Sequence, residues 1–199
     1  MSSECNFFKS HISTLNTLEN LYSYIFNSAP AMDASVLLRS EYVLIVSAFD
    51  NYIHQIVRRN IVNSFFSPSE TEIKLLLPLD VVQKIVLEND INIQREILNA
   101  EVRKILSKDS YQAPKAVEYA LSLIGIKKIW SSIADTMGDT PEHIKDTLAL
   151  ITLRRNKIAH EADINVDTGQ LADIDVETVR DCGDFLGKLV DCIDVLSGS

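Results

Sequence analysis

Residues Ser35 to Phe65 read SVLLRSEYVLIVSAFDNYIHQIVRRNIVNSF. Apolar side chains recur at Leu37, Leu38, Leu44, Ile45, Ala48, Phe49, Tyr52, Ile53, Ile56 and Val57. These three- and four-residue steps are the period of an α-helix rather than the two-residue alternation of a strand. No Gly or Pro interrupts the stretch, so one long helix is expected, capped by Asp33 or Ser35 and stopped by Ser67-Pro68-Ser69. Upstream, Phe8, Ile12, Leu15, Leu18, Leu21, Tyr22 and Ile25 place a first amphipathic helix from about Cys5 to Asn27, followed by the turn NSAPAMDA.

The same punctuation divides the rest. Between Thr71 and Lys108, Pro78 and Asp80 break and restart the chain, and INIQREILNAEVRKIL is a clear helix. Ala113-Pro114 opens another, with proline near the first-turn position it tolerates, and Gly125 stops it before IKKIWSSIADTM. Thr140-Pro141-Glu142 is a strong start signal for a helix to about His160. NVDTGQ reads as a turn, and Asp175 caps a last helix to about Leu196. No internal repeat appears. The expectation is an all-α bundle, long antiparallel core helices with short accessory ones, as a single domain over residues 1–199.

Composition agrees. Of 199 residues 46% are hydrophobic and 24% charged, which excludes a disordered tail and supports one core. No apolar run is long enough to span a bilayer. The start, MSSECNFFKS, lacks the basic-then-apolar order of a signal peptide. Three cysteines without metal-like spacing do not make a disulfide framework. Cys182 and Cys192 fall about 15 Å apart along one helix, too far to bridge. A reducing cytoplasm fits this usage.

The net charge of −9 argues at first sight against a polyanionic partner. Its distribution reverses that inference. Residues 161–199 hold ten acidic and two basic groups, net −8, leaving −1 for residues 1–160. The acidic last helix thereby offers a face to a basic partner.

Most candidate sites are weak. Asp163-x-Asn165-x-Asp167-Thr168-Gly169 imitates the start of a calcium loop, but Thr168 takes the glycine position and Ile174 the place of the bidentate glutamate. It reads as a solvated acidic turn. Gly183 and Gly187, four apart on the last helix, suit close helix packing. His11 and His143 stand isolated and read as surface histidines. No glycine-rich phosphate loop, nucleophile elbow or Cys/His metal cluster is present, and no cofactor is expected.

The informative stretch is Leu153-Arg154-Arg155-Asn156-Lys157-Ile158-Ala159-His160-Glu161, which crowds three cations, an amide and an imidazole near a helix end. Histidine titrates near neutrality and can move protons. Arginine offers a planar fork to phosphate oxygens, and asparagine can orient a substrate group or the imidazole. A solvated basic turn, favoured by the helix dipole, is the plain alternative. On a helix Asn156 and His160 lie about 40° apart, whereas Arg155 and His160 lie about 140° apart and do not converge easily. Two copies meeting at a two-fold axis would bring the groups together, so a catalytic motif here favours a symmetric dimer.

Arg155-Asn156-Lys157-Ile158-Ala159-His160 resembles the Arg-Asn-x-x-x-His signature of HEPN domains, small helical ribonucleases and nucleotide-binding modules. The flanks, LRRNKIAHEAD, resemble the RiboL-PSP branch. Leu37-Leu38-Arg39-Ser40 and Val46-Ser47-Ala48-Phe49-Asp50-Asn51-Tyr52-Ile53-His54 are similar to that branch's long early helix. The resemblance implies a metal-independent endoribonuclease, a homodimer with the two motifs paired near the two-fold axis, and a toxin or anti-phage effector with an antitoxin or defence partner. It implies His160 as the proton-transfer residue on the ribose 2′-hydroxyl, Arg155 as the stabiliser of phosphate charge and Asn156 as the orienting group. Products would be a 2′,3′-cyclic phosphate and a 5′-hydroxyl, with DNA spared. Arg154 and Lys157 would hold flanking phosphates, and Asp50 and His54 would support the motif, a plain helix-surface pair being the alternative for these two. The sequence departs from HEPN toxins paired with a nucleotidyltransferase, which carry tyrosine two residues after the histidine; here that position is Ala162. A non-catalytic interaction or nucleotide-binding module is the alternative function.

Overall fold

The computed structural model of the protein describes residues 1–67, 73–165 and 168–198. Pro68, Ser69 and Thr71, read above as helix stop and restart, and Val166 and Asp167 of the acidic turn lie outside them. Among the described residues there are eight helices: α1 Ser3–Ser28, α2 Ser35–Phe66, α3 Leu79–Leu87, α4 Ile91–Leu106, α5 Pro114–Ser122, α6 Ile129–Met137, α7 Pro141–His160 and α8 Val176–Leu196. The all-α expectation holds, and an isolated bridge between Ile164 and Leu171 is the extended pairing that accompanies them.

Local chemistry sets most boundaries. Ser2, Asp90, Thr140 and Asp175 cap α1, α4, α7 and α8 by accepting backbone N–H groups of the first turn. Pro114 and Pro141 open their helices, where a missing N–H costs nothing. Two boundaries differ from the reading above. The N-cap of α2 is Ala34, while Asp33 accepts the Ser35 N–H at 2.9 Å from one position outside. α6 starts at Ile129, because Lys128 adopts a left-handed φ of 54° and holds residues 126–128 out of the helix.

α2 is the centre of the molecule and packs against α1, α4, α5, α7 and α8. Its two-sided apolar surface is the reason: a helix apolar nearly all round is stable only when enclosed. Leu38, Val46, Phe49, Ile53, Ile56 and Val57 are fully buried along its length. The connected core draws on all eight helices. Leu44 instead remains exposed.

Gly183 and Gly187 do not mark a close approach. A Cβ at Gly183 would meet Ile45 at an ordinary 3.8 Å, and one at Gly187 would meet nothing within 4 Å. All three cysteines are buried and free, and burial raises the thiols of Cys5 and Cys182 to about 11 and about 12. Among the described residues no helix is long and apolar enough to cross a membrane.

Candidate active site at the end of α7

The Thr140 cap and Pro141 start α7, and twenty residues later it delivers Arg154, Arg155, Asn156, Lys157 and His160 to one end of the bundle. Ile144, Leu148, Ile151 and Thr152 are its buried anchors. Past them the helix emerges: Arg154, Arg155 and Asn156 are half-buried, Lys157 and His160 exposed. Leu153 is exposed beside them, an apolar side chain without cover.

Arg155 Nη1 donates to Asn156 Oδ1 at 3.2 Å, so the two motif residues hold each other. The Arg155 Nε is buried without a hydrogen-bond partner. Among the described residues none hydrogen-bonds the His160 imidazole. Arg155 and Asn156 pair, and His160 follows one turn later at the helix end with no hydrogen bond to either among the described residues.

The chain after His160 turns sharply. Ala162 and Asp163 adopt left-handed φ values of 52° and 57°, and the Asp163 N–H donates to the Lys157 carbonyl at 3.1 Å. Such conformations cost a non-glycine residue about 1–2 kcal/mol each and need support from their surroundings. Asp163 supplies it. Only 2% exposed, its Oδ2 accepts from Arg39 Nε at 2.9 Å and Arg154 Nη2 at 2.8 Å. Arg39 also donates to Ser35 Oγ and the Ala172 carbonyl, and Arg154 to the Asp173 carbonyl at 2.9 Å. Two arginines from α2 and α7 thus clamp the α7–α8 connector.

This clamp corrects one reading. The acidic turn is not solvated at Asp163, which is an interior counter-ion to Arg39 and Arg154. Arg154 is engaged in this clamp, its Nε buried and unpartnered, while Lys157, inside the motif, is exposed. The sequence reading missed Arg39 as a buried charge, although it lies in the resembling stretch Leu37–Ser40; a cation in an otherwise apolar turn was the available signal.

Asp50 and His54 lie elsewhere on α2. Asp50 Oδ1 accepts the Tyr111 N–H and sits 3.8 Å from His54 Nε2. The His54 ring packs on Tyr111 with centroids 4.6 Å apart, and burial lowers its pKa against the opposing pull of Asp50. With Arg58, Arg103 and Asp109 they line a cavity of about 300 Å³ drawn from α2, α4 and the α4–α5 connector. Among the described residues no hydrogen bond or ion pair links them to Arg155, Asn156 or His160. The connection is indirect: Asp50 holds Tyr111, and the next residue's carbonyl, Gln112, accepts from Thr152 Oγ1 at 2.9 Å, one turn before Asn156. His143 is not isolated, since its Nδ1 lies 2.7 Å from Asp139 Oδ2, though it is on the surface as expected.

Beside the motif runs a groove of about 670 Å³ lined by Val36, Val43, Leu44, Ile158, Ala159 and Leu171, among others. It couples the start of α2 to the end of α7 and offers apolar surface next to His160.

Comparison with known proteins adds one finding. No curated protein and no solved structure matches the chain. The family model described as RiboL-PSP-HEPN matches residues 8–197, from the first turns of α1 to the end of α8. That match spans both stretches of resemblance and the clamp that joins them, and a helical fold is the family's own. With nearly its whole length covered, the chain belongs to the RiboL-PSP-HEPN family.

Proposed function

We propose that this protein is a metal-independent endoribonuclease acting in the cytoplasm, a toxin or anti-phage effector. The observation that carries the reading is the end of α7. An exposed imidazole, His160, follows a half-buried guanidinium, Arg155, held by Asn156.

His160 accepts the proton of a ribose 2′-hydroxyl. The 2′-oxygen attacks the adjacent phosphorus as the bond to the 5′-oxygen breaks, and the leaving oxygen takes a proton from an imidazolium. The products are a 2′,3′-cyclic phosphate and a 5′-hydroxyl, and DNA is inert because it lacks the nucleophile. Arg155 donates N–H groups to the non-bridging oxygens as charge builds there. Lys157 meets a flanking phosphate. Because Arg155 and His160 diverge within one chain, a homodimer completes the site with the partner's motif, and the exposed Leu153, Val36, Leu44 and Leu171 favour such a contact near the two-fold axis. In a toxin–antitoxin pair the antitoxin would cover this end.

The test incubates total RNA with wild-type protein and with His160→Ala, without added metal. Wild type is expected to cleave and the variant to lose at least about a hundred-fold in rate, the usual worth of a general acid–base group. Equal cleavage by both refutes the mechanism. Absence of cleavage by either, with RNA or nucleotide still bound, supports the second reading, a non-catalytic interaction or nucleotide-binding module. That no hydrogen bond among the described residues orients His160 is the observation favouring that second reading.

A further inference from the structure

Glu41 is a buried charge that neither the fold nor the motif uses. It is 2% exposed, and its Oε2 has no hydrogen-bond partner. Desolvation pushes its carboxyl up to about 7, the Glu19 carboxylate adding to the rise and the Glu19 backbone and the Arg180 charge opposing it. An ionised carboxylate left in this state is costly unless a cation meets it.

The side chain lies in the wall of a cavity of about 440 Å³ between α1, α2 and α8. Ile12, Ile45 and Val179 make its apolar walls, while Asn16 and Asn20 bring amides. Arg180 is the cation among the lining residues, and two of its nitrogens already grip Glu19: Nε at 3.0 Å from Oε2, Nη2 at 2.5 Å from Oε1. Glu41 and Asp184 share the field of that same guanidinium, so three carboxylates face one cation and the cavity carries surplus negative charge. Among the described residues no three carboxylate, histidine or cysteine groups converge as metal ligands. An organic cation suits the site better: an ammonium head presents three donors, and its methylene stem lies along apolar walls.

We propose that this cavity binds an alkylammonium group, of the kind carried by a lysine side chain or a polyamine, with Glu41 as the buried counter-charge. The Asn16 and Asn20 amide oxygens take the remaining N–H groups. The acidic residues of α8 draw cations toward the opening. No residue of α7 lines the cavity, so the proposal stands or falls apart from ribonuclease activity.

The experiment titrates n-butylammonium chloride into the full chain, followed by calorimetry and by backbone amide NMR, against tetramethylammonium chloride at equal ionic strength. Saturable one-to-one binding is expected for butylammonium, and none for tetramethylammonium, which has no N–H donor. Glu41→Gln should weaken binding at least about ten-fold by removing the charge-assisted acceptor. Arg180→Gln should strengthen it by releasing Glu19. Affinity should rise from pH 6 to pH 8 as Glu41 ionises among Glu19 of α1 and Arg180 and Asp184 of α8. Spermidine and N-acetyl-lysine amide, titrated in parallel, distinguish a free polyamine from a partner's lysine. No saturable butylammonium binding, or equal affinity in wild type and a Glu41→Gln variant that circular dichroism shows to be folded, overturns the proposal.

Discussion

Asp163 follows His160 by three positions and holds two arginines from different helices within 2.9 Å of one oxygen. A shared buried counter-ion of this kind orders three pieces of chain at once: the start of α2, the end of α7 and the connector to α8. Removing it leaves two guanidinium groups facing each other in a partly desolvated space. Asp163→Asn is therefore expected to lower the unfolding free energy by about 3 kcal/mol, the low end for a broken buried pair, as measured by urea denaturation. The same variant should raise hydrogen exchange in residues 157–163, because the left-handed Ala162 and Asp163 lose their support. A loss under about 1 kcal/mol would show that the clamp is marginal. Arg155 differs: half-buried, it has no carboxylate partner, its outer nitrogen meeting Asn156 while its Nε is buried without a hydrogen bond.

At the scale of elements, caps and periodicity made the helices legible. Asp175, Thr140, Pro141 and the period of residues 35–65 all act within one or two turns, which is why α7, α8 and α2 sit where the sequence puts them. α6 resisted because its start depends on Lys128 taking an αL conformation that no residue-type preference marks. The glycines of α8 resisted for a related reason, since spacing cannot tell a packing glycine from one facing open space. Gly187 stands in a helix interior, and a methyl group added there would meet nothing within 4 Å. Gly187→Ala should accordingly raise stability by about 1 kcal/mol, the helix-propensity difference, seen as a higher urea midpoint with unchanged slope. A destabilised variant would mean that α8 has a neighbour at that position, such as a partner chain.

For the whole molecule, charge placement matters more than its total of −9. Glu41 supplies a pH dependence whose sign follows from its environment. Its carboxyl titrates near 4.5 when exposed and near 7 in the fold, so between those values the folded chain holds a proton that the unfolded chain has released. Stability must then fall as pH rises through this window, by on the order of 3 kcal/mol in full. Glu41→Gln abolishes that component. The variant should match wild type at pH 4.5 and exceed it at pH 8, with the gap opening between; a gap independent of pH would contradict the burial. His54, lowered by its own burial, works in the opposite sense, losing stability as pH falls, and the comparison between the two chains cancels it.

Caps, turn residues and apolar periods act over a few residues, so the order of the helices, the motif at the end of α7 and the family are legible along the chain before any packing is considered. The tertiary structure alone decided which charges are interior. Arg39 and Asp163 are 124 positions apart, and Glu41 faces α8 residues more than a hundred positions away. Burial and counter-ion are properties of packed surfaces, and no local pattern encodes them. The Arg155–Asn156 hydrogen bond likewise appears only in the folded chain, whereas the helical spacing of Arg155 and His160, set locally, is why the proposed chemistry calls for a second copy of the chain.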